Sequence, residues 1–161
     1  MSSALYSRDI LRLAASIPHH RRLDHPDASA DRRSPTCGSR VIADVCMDGD
    51  GRLSSLGLDV RACALGQASA SLMAAHAIGR SAEDMRRASE QLRRWLSDAP
   101  SGGEAEADFW PGMAVFAAAR AYPARHPSIL LSFEAVAEAA AATAAASRKE
   151  GQGTGMKESR A

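Results

Sequence analysis

Cysteine is scarce in this sequence, neither sign of charge prevails, and long apolar runs are missing. Three cysteines, Cys37, Cys46 and Cys63, are too few and odd in number for a disulfide framework, so reduced thiols, some of them metal-bound, are expected. Lys+Arg (20) and Asp+Glu (19) nearly cancel to a formal net charge of +1, which leaves no global field to draw the chain onto nucleic acid or an anionic membrane. No run approaches the roughly 18 apolar residues that span a bilayer. The stretch "MSSALYSRDILRLAAS" sets Arg8, Asp9 and Arg12 where a signal peptide has its apolar core, so a soluble cytoplasmic protein is expected. No internal repeat is present. The length of 161 residues suits one core, and function has to come from a local site.

Leu5, Ile10, Leu11, Leu13, Ala14 and Ile17 fall at loose helical spacing, closed by Pro18, and His19 to Ser34 reads as a polar arm. From Val41 the period changes to two, with Val41, Ala43, Val45 and Met47 on one face and Ile42, Asp44, Cys46 and Asp48 on the other. The turn residues "DGDG" follow, and Leu56, Leu58, Val60 and Ala62 form the apolar face of a return strand, which predicts an antiparallel hairpin. "ALGQASASLMAAHAIG" predicts a helix capped by Gly79, and Ser81 caps another whose stripe is Met85, Ala88, Leu92, Trp95 and Leu96. "DAPSGGEAEADFWPG" has loop composition, with Phe109 and Trp110 as its anchors. After Pro127 the alanine-rich run predicts one long helix. Residues 1–150 are expected to form one domain, and 151–161, with three glycines and mixed charge, a disordered tail.

Cys37 lies in the loop "SPTCGSR" before the first strand, and Cys63 ends the second, just before a helix. A hairpin brings the end of its second strand back to the start of its first, so topology pairs these thiols across 25 intervening residues. The helix start presents unpaired N–H groups to Cys63, a setting that suits thiolate chemistry. The plain alternative is that both are small buried side chains. Cys46, within a strand, reads as structural. His19, His20 and His25 read as solvated residues of the arm, and His76 as a satisfied imidazole near a helix end. His126 precedes Pro127 and Ser128 at the start of the last helix, either beside a site or simply on the surface.

In order, "LYSRDILRLAASIPHHRRLDHPDASA", "SPTCGSRV", "DGDGRLSSLGLDVRACALGQASASLMAAHAIGRS" and "YPARHPSILLSFEAV" resemble the U-type iron–sulfur cluster assembly scaffolds, the NifU amino-terminal domain and its SufU relatives. The resemblance implies an α+β fold, a small antiparallel sheet packed against helices in a SufE/NifU-like sandwich. It implies three cysteines and an aspartate gathered at one end, holding iron, sulfide or a transient 2Fe–2S cluster, or in the SufU branch a zinc ion. The implied partners are a cysteine desulfurase and recipient iron–sulfur proteins, and the implied role is assembly rather than catalysis. Cys37 and Cys63 match two of the family cysteines. The family aspartate falls on Ser39 and the third cysteine on Ser128, and a hydroxyl is a harder donor than a thiolate and stays protonated near neutral pH. A 2Fe–2S cluster needs four ligands. Two chains sharing a cluster as a homodimer, His126 acting as a third ligand, and loss of metal binding with the fold kept as an interaction module all remain open. In the sulfur-transfer alternative, Cys63 is the persulfide acceptor.

Overall fold

The computed structural model of the chain describes residues 5–36, 38–98 and 107–160, with side chains through residue 146. Helix α1 (Arg8–Ala15) leads into strands β1 (Ala28–Arg33), β2 (Arg40–Met47) and β3 (Leu53–Arg61). Helices α2 (Ala64–Ala77) and α3 (Ala82–Ser97), 3₁₀ segments at Met113–Ala121 and Pro123–Arg125, and helix α4 (His126–Arg160) complete the order. The strands form one antiparallel sheet in the order β1-β2-β3. This is the α+β arrangement expected from the sequence.

Alternation decides the sheet. Val41, Ala43 and Val45 of β2 and Leu56, Leu58 and Val60 of β3 are all buried on the inner face, against α4 and α2. In the turn between β2 and β3, the Asp48 carboxylate accepts from the N–H groups of Asp50 (2.9 Å) and Arg52 (3.0 Å), and Gly51 takes φ +76. Strand β1 was not expected: "ASADRR" lies inside the stretch read as a polar arm. It lacks branched residues, and its strand conformation comes from pairing with β2, Ala28 opposite Val45 through Arg33 opposite Arg40.

Helix α2 is buried on nearly every side, which its small residues Ala68, Ser69, Ala70 and Ser71 allow. Helix α3 starts at a reciprocal capping box between Ser81 and Asp84, and its five stripe residues are buried as expected. Trp110 anchors the following segment. Its indole donates to the Leu72 carbonyl (3.0 Å), it meets Phe133 edge-on at 5.1 Å, and the Arg80 guanidinium lies 4.1 Å over its ring. Phe109, half-buried, meets Trp95 edge-on.

Contrary to the expectation from the sequence, one stretch, Pro123–Ala146, is long and apolar enough by length and composition to cross a membrane. In the fold its Ile129, Phe133, Val136 and Ala140 are core residues instead. Helix α4 continues to Arg160, through the stretch 151–160 where composition suggests a tail.

Candidate functional site

Three chain segments meet at one end of the sheet. Arg40, which opens β2, stands opposite Arg61, which closes β3, so residues just before the one and just after the other share that end. Before Arg40 the chain makes a tight loop. The Ser34 N–H donates to the Ser39 carbonyl (2.8 Å), the Gly38 N–H to the Ser34 carbonyl (3.3 Å), and Gly38 adopts φ +73, which favours glycine. Ser39 is buried, 4% exposed. Cys37 lies outside the described residues.

Cys63 occupies the N-cap position of α2, half-buried, and its thiol makes no capping hydrogen bond. Its backbone is fixed: the carbonyl accepts from the Gln67 N–H (2.9 Å), while the Gln67 side chain donates to the Ala62 carbonyl (3.0 Å). The thiol is in no disulfide among the described residues.

The start of α4 closes the site. A Cβ on Gly66 would sit 2.7 Å from the Ala62 Cβ and 3.3 Å from the Ser128 carbonyl, so glycine lets the first turns of α2 and α4 approach. The Ser69 hydroxyl donates to the Ile129 carbonyl (2.5 Å) and locks the crossing. Ser128 is buried at 3% exposure beside this crossing, one turn of α2 from Cys63. His126 is half-buried, with Nε2 at 2.9 Å from the Ala119 carbonyl. A carbonyl only accepts, so Nε2 is the nitrogen that carries a proton here. Among the described residues no three His, Cys, Asp or Glu side chains are grouped as metal ligands.

The remaining candidates fall elsewhere. Cys46 is half-buried on the outer face, its thiol 3.5 Å from the His25 carbonyl, consistent with a structural role. His19 and His20 are exposed yet hold the arm on the edge of β3. The Leu58 N–H donates to the His19 carbonyl (2.9 Å), and the Val60 N–H donates to His20 Nε2 (3.2 Å).

One residue was missed as a centre of the fold. Asp44, in the middle strand on the outer face, is fully buried. It accepts from Arg22 Nε (2.6 Å) and Nη2 (3.0 Å), the Leu23 N–H (3.0 Å) and the Ser29 hydroxyl (2.5 Å). Burial pushes its carboxyl up, but these donors and the Arg22 charge outweigh burial and hold it below the ordinary aspartate range. A charge on an otherwise apolar strand, with arginines in the preceding arm, was the available sign.

No family model matches the sequence, and no curated protein matches it. Solved structures do. A protein described as an iron–sulfur cluster assembly scaffold for the SUF system, from Fervidobacterium islandicum AW-1, aligns with TM-score 0.75 at 18% identity, over 87% of this chain and 99% of that one. A hypothetical protein solved at 2.3 Å aligns with TM-score 0.69 at 23% identity, over 84% and 96%. At those identities the likeness shows the fold alone. The N-terminal part of a nitrogen-fixing NifU-like protein from Brucella abortus aligns with TM-score 0.72 at 39% identity, over 84% of this chain and 92% of that one. The expected resemblance holds: this chain belongs to the NifU-like N-terminal family.

Proposed function

We propose that this chain is an iron–sulfur assembly scaffold that transiently holds iron and sulfide, or a nascent 2Fe–2S cluster, through Cys37 and Cys63. The observation that carries the reading is the placement of Cys63. It is a half-buried thiol at a helix N-cap, making no capping bond, at the sheet end where the Arg40–Arg61 register returns the chain to the segment carrying Cys37. Family membership supports the scaffold role, and the Fervidobacterium neighbour carries that description.

The cluster is cargo, and the donor set suits loose holding. Thiolates are soft donors matched to iron. The hydroxyls of Ser39 and Ser128 stand where the family resemblance places stronger ligands, and His126 is the alternative third ligand within one chain. Four ligands without His126 require two chains sharing one cluster, so a homodimer belongs to this reading. A cysteine desulfurase supplies sulfur and recipient iron–sulfur proteins take the product, in the cytoplasm. Iron and zinc measured per chain, in protein purified without oxygen, test the reading. Iron that disappears in Cys37→Ala and Cys63→Ala supports it, and metal equal to the parent's in both variants contradicts it.

The two serines favour a second reading, an interaction module without a tight metal site, and the helix start at Cys63 favours its sulfur-acceptor form. A zinc-dependent acceptor would want a full tetrahedral set, which the serines deplete. In the acceptor form the Cys63 thiolate attacks the outer sulfur of the desulfurase persulfide and releases the desulfurase thiolate. Mass spectrometry after incubation with desulfurase and cysteine separates the forms: added sulfur on Cys63 marks an acceptor, and binding without added sulfur marks a module.

A further inference from the structure

The outer face of the sheet carries a row of arginines at its site end. Arg33 of β1 pairs with Arg40 of β2, and Arg40 pairs with Arg61 of β3. Directly opposed residues point to the same face, so three like charges stand side by side across all three strands. Such a row is unfavourable for folding by itself. The next row, Asp31, Ile42 and Asp59, relieves it unevenly. Asp31 takes Arg40 through two hydrogen bonds (2.9 and 2.5 Å). Arg61 is only 3.9 Å from Asp59 and is 75% exposed. Arg33 is exposed and makes no ion pair among the described residues.

The arginines of α3 behave differently. Arg86 holds Glu83 and Glu90, Arg87 lies 3.7 Å from Glu83, Arg94 lies 3.9 Å from Glu90, and Arg93 holds Glu134 at 2.7 Å. Each of those charges meets a carboxylate of its own fold. The sheet row leaves positive charge at both outer strands, and those strand ends border the site: Arg40 follows Cys37 by three residues and Arg61 precedes Cys63 by two.

We infer that this arginine row is a docking surface for an acidic segment of a partner protein, which brings that partner to the thiol end. The spacing fits. Neighbouring strands lie about 4.8 Å apart, so the row spans about 10 Å. Acidic side chains one turn apart on a helix recur at about 5–6 Å. A lone inorganic anion would engage only part of such a row. Nucleic acid is disfavoured because its phosphates need a longer basic surface than one row of three arginines on a chain of net charge +1. That the partner delivers or collects sulfur rests on the scaffold reading; the docking itself does not.

The test uses the full chain, without metal or sulfide, so its failure is separate from failure of the scaffold reading. An isotope-labelled sample is titrated with a synthetic helical peptide bearing glutamate along one face, and with the same peptide bearing glutamine. With glutamate, amide shift changes centre on residues 33, 40 and 61, and binding weakens steeply with salt. Arg33→Glu with Arg61→Glu weakens binding on the order of tenfold or more. Arg33→Gln with Arg61→Gln gives a smaller loss. Thermal melts confirm folding, with stability equal to or above that of the parent. The inference is overturned if shifts centre on α3, if charge reversal leaves affinity unchanged, if the glutamine peptide binds equally, or if inorganic phosphate or a DNA oligonucleotide at matched ionic strength binds the row more tightly than the acidic peptide.

Discussion

The Ser128 carbonyl lies 3.3 Å from the point a Cβ on Gly66 would occupy, and this contact sets the distance between the first turns of α2 and α4. Ala62 crowds the same point at 2.7 Å. Gly66→Ala must therefore displace Ala62, just before Cys63, and press on the start of α4 at Ser128. Expected is a loss of about 1–3 kcal/mol of stability in urea titration. Iron loading should fall further than a loss of stability alone explains, when compared with a variant equally destabilised in α3, such as Leu92→Ala.

Asp44→Ala removes the acceptor for Arg22, Leu23 and Ser29 together and frees the arm from the sheet. A cost of about 2–3 kcal/mol is expected by denaturant unfolding. Faster proteolysis between residues 19 and 27 should accompany it. Ser29→Ala, which removes one donor of the set, should cost less than half as much.

Gly57→Ala tests the same arm from the other side. A Cβ there would lie 2.5 Å from the Arg21 carbonyl and 2.8 Å from the Leu23 N–H, both backbone atoms. The arm has to lift, exposing the edge of β3 that it covers. The expected signature is faster hydrogen exchange at Leu58 and Val60, whose amides bond to the arm.

Acid should destabilise the fold through aspartates. Burial raises the Asp44 carboxyl, yet donors and charge hold it below the ordinary value of 3.8, and the Ser81 backbone N–H leads the lowering of Asp84. A depressed folded value stabilises above the unfolded value and loses that stabilisation as pH falls through the folded one. Thermal melts should stay level above about pH 5 and drop below about pH 4. Asp44→Asn should be less stable at neutral pH and flatter across the acid limb.

The hairpin and α3 were legible because their residues alternate or repeat with clean periods, Val41, Ala43 and Val45 in one and Met85, Ala88, Leu92 and Trp95 in the other, while α2, buried on nearly every side, was legible from its helix-forming and small residues. The hairpin also located the site end, since its turn fixes Arg40 opposite Arg61. β1 was hidden because Ala28 and Ala30 carry little apolar surface, and only the partner strand makes the segment a strand. The burial of Asp44 depends on an arm that crosses the sheet from 22 residues away. Local pattern marks the charge on the strand but not the Arg22, Leu23 and Ser29 donors that meet it. The arginine row needed the register of three strands, of which two were recognised.

Anaerobic reconstitution with ferrous iron and sulfide, followed by visible absorbance, tests the central claim most directly. The parent chain is expected to develop the charge-transfer bands of a labile cluster, which chelator bleaches readily. Cys37→Ala and Cys63→Ala should each abolish them, while Cys46→Ala leaves them intact. Identical spectra from the parent and the Cys37→Ala/Cys63→Ala double variant would contradict a scaffold built on these two thiols.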